Sequence, residues 1–302
     1  MSPRIVVVGS LMMDLVVRAP RLPHIGESLL SHSFRTSPGG KGANQAIAAA
    51  RLGAATTMIG RIGKDRFGEI LRTGLESAGV DTRFVSVDPQ IGTGVAVPIV
   101  LDSGENSIFA IPQSNMALGA SDIEAARETI ASAGMLMLQF EVGMDATLAA
   151  ARIAHEAGVP VMLNPAPIVE PPAGLLSLSS IIIANELEAA SLAPAAGGDH
   201  AKELAALREY VPTAIITLGE AGAMVDDGSG LLTASGFPVT AIDTVGAGDA
   251  FCAAFAVARC EGMAVTEAAR FANAAGALAV TAAGAESSLP TRSAVEAFLA
   301  RQ

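Results

Sequence analysis

The spacing of hydrophobic positions predicts strands and helices in alternation along most of the chain. Residues 4–8 form a continuous apolar run, which is typical of a parallel strand buried on both faces. The Ala-rich residues 41–52 are predicted to be helical, and residues 57–59 to form the next strand. Residues 66–78 are predicted as a helix that ends at Gly79, because glycine readily adopts the left-handed conformation that closes helices.

The alternation becomes regular in the second half of the chain. Helices are predicted at residues 121–132, 145–157, 186–192 and 202–210, and strands at 135–140, 159–163, 181–184 and 214–217. This order implies an α/β fold whose mostly parallel sheet is covered by helices on both faces. Three β-rich pieces interrupt the alternation, around residues 27–34, 94–101 and 107–111.

Polar or glycine residues come just after several of the predicted strands. They are Asp14, Glu141, Asn164, Asn185 and Gly219. Ligands of parallel sheets bind at the carboxyl ends of the strands, so these positions are expected to converge on one site. The sequence therefore predicts a single ligand site at that edge of the sheet.

The run DTVGAGDAF at residues 243–251 is the most informative chemical motif. Gly246 and Gly248 let the backbone turn tightly and approach a ligand, and the helix that follows directs free N–H groups at an anion. A carboxylate beside a bound anion repels it, so the presence of Asp249 requires a functional explanation. We interpret Asp249 as the base that deprotonates a hydroxyl, which then attacks a phosphorus held by the amides of Gly246, Ala247 and Gly248. The alternative is that Asp249 only caps the helix.

This run resembles the D-T-x-G-A-G-D signature of the ribokinase family of sugar kinases. Four further motifs agree in order: GGKGANQA at 39–46, NPAP at 164–167, NELE at 185–188 and TLGEAG at 217–222. The resemblance covers essentially the whole chain. It implies one kinase domain over residues 1–302, with a Rossmann-like sheet. It also implies a small β-sheet lid, formed by segments of about 12–38 and 94–112, which often pairs with a second subunit.

The activity that the resemblance implies is ATP-dependent phosphorylation of the primary hydroxyl of a pentose, converting ribose to ribose 5-phosphate. Asp249 would be the base and residues 246–248 the anion hole. A 2-deoxyribose kinase or another sugar kinase of the family is one alternative. A sugar-sensing or nucleotide-sensing protein without catalysis is an alternative of another class, which the intact Asp249 and glycines disfavour.

The resemblance also implies a set of sugar contacts, which are Met12, Asp14, Gly40, Lys41, Asn44, Glu141 and Asp249. Asp14 suits a vicinal diol because a carboxylate accepts from two neighbouring hydroxyls, although it could instead cap a strand end. The glycine run at 39–42 could likewise be an ordinary turn before a helix, and Glu141 a solvated loop residue.

On the nucleotide side, the resemblance implies contacts from Asn185, Thr217, Gly219, Gly222, Gly248 and Asn273. Glu188 is expected to position Mg²⁺ through water. A potassium ion is expected beside the anion hole, held by Asp243, Val245, Ala282, Gly284 and Ser288. Helix capping by Asn185, a solvated position for Glu188 and turn capping by Asp243 remain alternatives.

One position departs from the family pattern. Family members typically carry Asn two residues before the first Asp, whereas this chain has Met12 before Asp14. Deoxyribokinase-like members resemble this chain there, so the preferred sugar is left open. The alternative is that Met12 points into the core.

Composition narrows the location and the partners. The 302 residues are 51% hydrophobic, but no apolar run approaches the ~20 residues that span a membrane, and the first strand is too short for a signal peptide core. The net charge of −11 disfavours nucleic acid and anionic membranes as partners. Cys252 and Cys260 are expected to be reduced in a cytoplasmic protein. The absence of a P-loop motif and of G-x-G-x-x-G after the first strand disfavours P-loop enzymes and nicotinamide-dependent dehydrogenases.

Overall fold

The computed structural model describes residues 2–103 and 105–302. The strands are β1 Arg4–Val8, β2 Met12–Ala19, β3 Ser33–Gly39, β4 Ala55–Gly63, β5 Asp81–Asp88, β6 Gly94–Leu101, β7 Asn106–Ile111, β8 Met135–Leu138, β9 Val161–Leu163, β10 Ile181–Asn185, β11 Thr213–Thr217, β12 Gly222–Asp226 and β13 Leu231–Ser235.

The helices alternate with these strands. They are α1 Lys41–Arg51, α2 Arg66–Ser77, α3 Ala120–Ala125, α4 Arg127–Ala131, α5 Met144–Glu156, α6 Leu175–Leu178, α7 Glu186–Leu192, α8 His200–Arg208, α9 Ala247–Cys260, α10 Val265–Ala279, α11 Ala285–Ser288 and α12 Arg292–Leu299. Short 3₁₀ turns lie at Gln113–Ala117, Pro194–Ala196 and Gly219–Ala221.

A nine-stranded sheet forms the centre of the fold, in the order β13-β12-β11-β10-β9-β8-β1-β4-β5. Every neighbouring pair from β11 to β5 is parallel, and only β12 and β13 run antiparallel at one edge. The predicted α/β fold with a mostly parallel sheet is confirmed. The carboxyl ends of the parallel strands therefore meet at one edge.

Alternate residues of β1 supply the two hydrophobic layers. Ile5 and Val7 pack into the layer under α1, α9 and α10, whereas Val6 and Val8 pack into the layer under α3 to α8. Successive strand side chains point to opposite faces, so burial on both faces requires a continuous apolar run. In α9, residues 250–258 are all buried, and their many alanines allow α10 to pack closely alongside.

A separate four-stranded sheet has the order β3-β2-β6-β7. Strands β2 and β6 are parallel, while the β2–β3 and β6–β7 pairs are antiparallel. The β-rich prediction at 27–34 is wrong for most of its length, because β3 begins only at Ser33. Before it, Glu27 donates from its N–H to the carbonyl of His24 in a turn, and Gly26 has a positive φ of 82°.

Three further boundaries differ from the predictions. Asp14 lies within β2 and not in a loop after β1. The helix predicted at 121–132 is divided at Ala126, whose φ of −103° and ψ of 8° interrupt regular helix. Strands β2, β5, β12 and β13 were not predicted individually; β13 is a short edge strand whose residues are alternately exposed and half-buried.

Candidate active site

A cavity of about 1060 Å³ opens at the carboxyl ends of the parallel strands, between the starts of α1 and α9 and the small sheet. Its lining contains most of the residues that the sequence predicted for the site. They are Met12, Asp14, Gly40, Lys41, Asn44, Glu141, Asn185, Glu188, Thr217, Asp243, Val245, Gly246, Gly248, Asp249 and Gly284. The lining does not include Ala247, Gly219, Gly222, Asn273, Ala282 or Ser288.

Asp249 lies in the first turn of α9 with only 7% of its surface exposed. Two side-chain amides donate to its carboxylate: Asn44 Nδ2 to Oδ2 at 2.9 Å, and Gln45 Nε2 to Oδ1 at 3.1 Å. Each carboxylate oxygen can accept a further hydrogen bond. The carboxylate is thus held in one orientation while it keeps the capacity to accept a substrate proton.

The turn before α9 is open toward the cavity. Gly246 has a φ of 84°, a conformation that favours glycine, and a Cβ added at Gly248 would meet no atom within 4 Å. The first N–H groups of a helix lack intrahelical acceptors and so favour an anion there. The N–H of Ala247 instead donates to the carbonyl of Thr244 at 3.3 Å, which closes the turn.

The surroundings of Asp249 have opposing effects on its pKa. Burial raises the pKa of Asp249, and the Lys41 ammonium and the amides of Asn44 and Gln45 oppose that rise. Burial alone would lower the pKa of Lys41, but the carboxylates of Asp249, Glu141 and Glu188 outweigh it and raise the pKa. Lys41 therefore stays protonated at neutral pH and supplies positive charge to a cavity rich in carboxylates.

Asp14 and Glu141 form a second pair of carboxylate acceptors in the cavity. Glu141 Oε2 accepts from Ser10 Oγ at 2.5 Å and from the N–H of Lys41 at 3.0 Å. The segment after β1 and the start of α1 therefore both hold the carboxylate in place. Burial and the nearby Glu141 raise the pKa of Asp14 to about 6, while Arg35 on β3 acts in the opposite direction. The alternative, that Glu141 is a solvated loop residue, does not hold, because its carboxylate accepts hydrogen bonds and lines the cavity.

The glycine run before α1 has a packing role of its own. Gly40 caps the helix with a φ of 94°, and a Cβ at Gly42 would lie 2.5 Å from the carbonyl carbon of Gly9. The start of α1 therefore lies against the backbone that follows β1. Tight packing and access of the backbone to the cavity come from the same residues.

Met12 is 3% exposed and lines the cavity. It is the first residue of β2, where it pairs with Gly39 on one side and with Gly94 on the other. The neighbouring Met13 belongs to the core layer under α1. Successive strand residues face opposite sides, which accounts for the different surroundings of the two methionines.

Asn185 and Glu188 form a reciprocal cap at the start of α7. Asn185 Oδ1 accepts from the N–H of Glu188 at 2.8 Å, while both oxygens of Glu188 accept from Asn185 at 2.9 Å. Glu188 is 8% exposed, so it does not lie on a solvated face, and burial raises its pKa. The capping alternative for Asn185 is present in the structure together with its position on the cavity wall.

The other predicted nucleotide residues lie around the ends of β11 and β13. Thr217 Oγ1 donates to the carbonyl of Ala184 at 3.4 Å. Gly219 and Gly222 have positive φ values of 55° and 99° and close the turn between β11 and β12. Asn273 Nδ2 donates to the carbonyls of Ala234 at 2.8 Å and Ser235 at 3.2 Å. Asn273 therefore secures the end of β13.

Asp243 joins the two segments that the potassium prediction involves. Its carboxylate accepts from the N–H of Val245 at 3.1 Å and from the N–H of Gly284 at 2.9 Å. In the second segment, Ser288 Oγ donates to the carbonyl of Ala285 at 2.9 Å. The turn capping considered for Asp243 is therefore present in the structure.

Sequence reasoning missed four polar residues of this region. Gln45 and Gln139 are fully buried beside Asp249, and Ser10 supports Glu141. Arg35 reaches from the small sheet to within 4.0 Å of the Asp243 carboxylate, measured from its Nη2. Gln45 stands inside the GGKGANQA motif and could have been found there, whereas Arg35 and Gln139 lie outside every matched motif.

Three further observations concern metal ligands, thiols and membrane-spanning helices. Within residues 2–103 and 105–302, no three His, Cys, Asp or Glu side chains cluster in a way that could hold a metal ion. Both cysteines are free thiols. No helix in the part of the chain that the structure describes combines the length and apolar character that crossing a bilayer requires.

Comparison with known proteins places these features in a family context. The sequence description of the pfkB family carbohydrate kinases matches residues 2–292. A ribokinase of Bacillus subtilis is 38% identical, with 98% of this chain and 99% of that protein covered. A deoxyribokinase of Salmonella typhi is 35% identical, with 95% of each covered. The structure of an Arabidopsis thaliana ribokinase complexed with ribose and ATP superposes with a TM-score of 0.91 and 34% identity, covering 99% of each chain.

Proposed function

This chain belongs to the pfkB family of carbohydrate kinases, and we propose that it transfers the γ-phosphoryl group of ATP to the primary hydroxyl of ribose. The products are ribose 5-phosphate and ADP. The observation that carries this proposal is the buried Asp249 carboxylate, held by two amides at the open N-terminal turn of α9. A coupled ADP-release assay with a panel of pentoses tests it.

Asp249 acts as the general base. It accepts the proton of the primary hydroxyl as the oxygen attacks the γ-phosphorus, and the bond from that phosphorus to the bridging oxygen of ADP breaks. The N-terminal turn of α9 stabilises the charge on the transferring group by the amides of Gly246 and Gly248 and by the helix dipole, whereas the amide of Ala247 donates to Thr244 within the turn. Lys41 adds a positive charge close to Asp249. Catalysis rests mainly on positioning and electrostatics, as in other phosphoryl transfers.

The sugar binds between the small sheet and the start of α1. Asp14 and Glu141 accept hydrogen bonds from its hydroxyls, and Asn44 and the backbone at Gly40 complete the contacts. Support comes from the position of the two carboxylates, since both line the same cavity and Glu141 is held by Ser10. Asn44 bonds to Asp249 at the same time, so it couples the sugar to the base.

ATP binds along the ends of β10 and β11. Asn185, Thr217 and Glu188 line the triphosphate side, and Gly248 approaches the phosphates. The turn at Gly219–Gly222 and Asn273 border the nucleoside from outside the cavity lining. We propose that Asn273 acts indirectly by holding the end of β13, because its amide donates to two carbonyls of that strand.

Mg²⁺ fits this cavity as an ion held mainly by phosphates and water. Glu188 offers a carboxylate at the wall, and its oxygens retain lone pairs after bonding to Asn185. The described residues hold no cluster of three ligands, which suits Mg²⁺ because it keeps several waters. When bound, Mg²⁺ neutralises charge on the phosphates.

A potassium ion fits beside the turn before α9. Asp243 already joins the segment of Val245 to the segment of Gly284 through two backbone N–H groups. We place the ion among Asp243, backbone carbonyls of Val245, Ala282 and Gly284, and Ser288. Its role would be to fix the turn and support the helix terminus by charge.

A second substrate, 2-deoxyribose, is favoured by one observation. The thioether of Met12 lines the cavity where an amide would offer two donors and an acceptor. A sugar that lacks the hydroxyl next to Met12 places no unpaired polar group against the thioether. The deoxyribokinase of Salmonella typhi is a relative at 35% identity.

We propose that the small sheet, which lies within segments of about 12–38 and 94–112, is a lid on the sugar and part of one kinase domain. The face of this sheet that points away from the cavity carries the exposed side chains Phe34, Phe109 and Ile111, which a second copy of the chain would cover in a homodimer. The free thiols suit the cytoplasm, where ATP is also available. A sensor without catalysis would not need Asp249, and the ADP-release assay separates the two functions.

A further inference from the structure

Two buried glutamines lie behind Asp249, outside the lining of the cavity. Gln45 Nε2 donates to Asp249 Oδ1 at 3.1 Å, and Gln45 Oε1 accepts from Gln139 Nε2 at 2.6 Å. Neither side chain has any exposed surface. A buried polar group is costly unless it is hydrogen-bonded, so this pair needs a reason within the fold or the reaction.

The surroundings select a single orientation of the Gln45 amide. Its nitrogen faces two acceptors, Asp249 Oδ1 and Asn164 Oδ1, the second at 3.3 Å. Asn164 is itself oriented, because its Nδ2 donates to the carbonyl of Ile183 at 3.0 Å. Reversing the Gln45 amide would turn its oxygen toward those two acceptors and its nitrogen toward the nitrogen of Gln139.

Gln139 packs against the main sheet. It follows the last residue of β8, and its side chain lies against Gly9 at the end of the neighbouring β1. A Cβ added at Gly9 would lie 2.2 Å from Gln139 Oε1. The amide of Gln139 thus occupies space that only a glycine leaves open, and it transmits the position of the sheet to Gln45.

Gln45 differs in this respect from Asn44, the other donor to Asp249. Asn44 lines the cavity and is shared between the carboxylate and the sugar, whereas Gln45 serves the carboxylate from the protein side. We propose that Gln45 is a positioning residue, supported by Gln139, that holds the Asp249 carboxylate ionised and aimed at the sugar hydroxyl. This inference rests on the proposed role of Asp249 as the base.

The inference has two measurable consequences. Loss of the Gln45 donor would let the carboxylate rotate, and small errors of aim in a reacting group lower the rate of the chemical step strongly. An amide that donates to a carboxylate also favours its ionised form, against the burial that raises the pKa of Asp249. Without that donor the pKa rises further, so a higher pH is needed to ionise the base.

The test is kinetics of Gln45→Met, which keeps the side-chain length and removes the donor. We expect kcat for ribose to fall about 10–100-fold. We expect KM for ATP to stay near that of the unaltered protein. The acid limb of the kcat/KM profile should move to higher pH. Gln139→Met should move it in the same direction by less, because Gln139 acts through Gln45.

A matched control is Thr56→Val, which removes another buried side-chain hydrogen bond at the start of β4, at the edge of the main sheet opposite the cavity. This variant should leave the acid limb unmoved. A folded Gln45→Met protein with an unmoved acid limb overturns the inference. If that variant does not fold, an unmoved limb in Gln139→Met overturns it equally. Full activity of Asp249→Asn would instead show that Asp249 is not the base. That outcome would contradict the proposed function itself, which distinguishes it from a failure of this inference.

Discussion

Asn44 Nδ2 donates to Asp249 Oδ2 at 2.9 Å, although 205 positions separate the two residues in the sequence. The contact joins the first turn of α1 to the first turn of α9. Both helix starts line the same cavity, and in the proposed complex the start of α1 faces the sugar and the start of α9 faces the phosphates. The base is therefore placed by the same residue that is proposed to contact the substrate.

The raised pKa of Asp14 predicts a stabilising substitution. Burial and Glu141 move this pKa from 3.8 to about 6. The folded state therefore holds the proton more tightly than the unfolded state, and stability falls as pH rises through this window. Asp14→Asn should raise the free energy of unfolding by about 1–3 kcal/mol at pH 7.5 and hardly change it near pH 4. Urea denaturation at both pH values measures this.

Arg35→Gln is the control for the Asp14 prediction, since the Arg35 guanidinium favours the ionised form of Asp14. Removing it should raise the pKa of Asp14 further and steepen the loss of stability between pH 4 and pH 7.5. An Asp14→Asn protein whose stability depends on pH as strongly as the unaltered protein would contradict the assignment. Affinity for ribose should fall in the same Asp14 variant.

The position of Met12 predicts how the chain distinguishes sugars. We expect 2-deoxyribose to be phosphorylated with kcat/KM comparable to or above that of ribose, since a thioether gives a buried hydroxyl only a weak partner. Met12→Asn should shift the ratio toward ribose by about 10–100-fold. The measurement is kcat/KM for both sugars in both proteins.

Met13→Leu serves as the control for Met12, because Met13 is the next residue of β2 and packs into the core layer under α1. It should leave the sugar preference unchanged. If Met12→Asn also leaves the ratio unchanged, Met12 does not read the substrate, and another group near the cavity must do so.

The segments joined by Asp243 predict a dependence on the monovalent cation. Activity in KCl should exceed activity in NaCl at equal ionic strength, because the proposed ion fixes the turn that leads into α9. Asp243→Asn removes the charge that would hold the ion and should reduce this difference. Equal rates in both salts for the unaltered protein would argue against the site.

The sequence predicted the six central strands of the main sheet, from β11 to β4, because they are largely buried on both faces and alternate with helices, whereas the outer strands β5, β12 and β13 were missed. The bounds of β1 and α7 were obtained in full. In the small sheet, β6 was predicted with its bounds and β7 to within one residue, whereas β2 was not predicted as a strand. Strand β3 was misplaced because Gly26 and the turn at His24 divide the β-rich stretch, a local event that composition does not reveal.

The candidate site was predicted as far as short motifs reach. Asn44, Lys41 and Asp249 stand in such motifs, and the structure brings them to one cavity. Gln139 and Arg35 could not be found in this way, because their contacts are made between distant segments. The contact of Gln139 with Gln45 spans 94 positions, and only the assembled sheet brings the two together.

The measurement that bears most directly on the whole account is turnover of Asp249→Asn, a nearly isosteric change that removes the base. We expect kcat to fall roughly 10²–10⁴-fold in the ADP-release assay, the usual contribution of a general base. ATP binding, followed by calorimetry because the chain has no Trp, should stay close to that of the unaltered protein. Turnover near that of the unaltered protein would contradict the proposed mechanism.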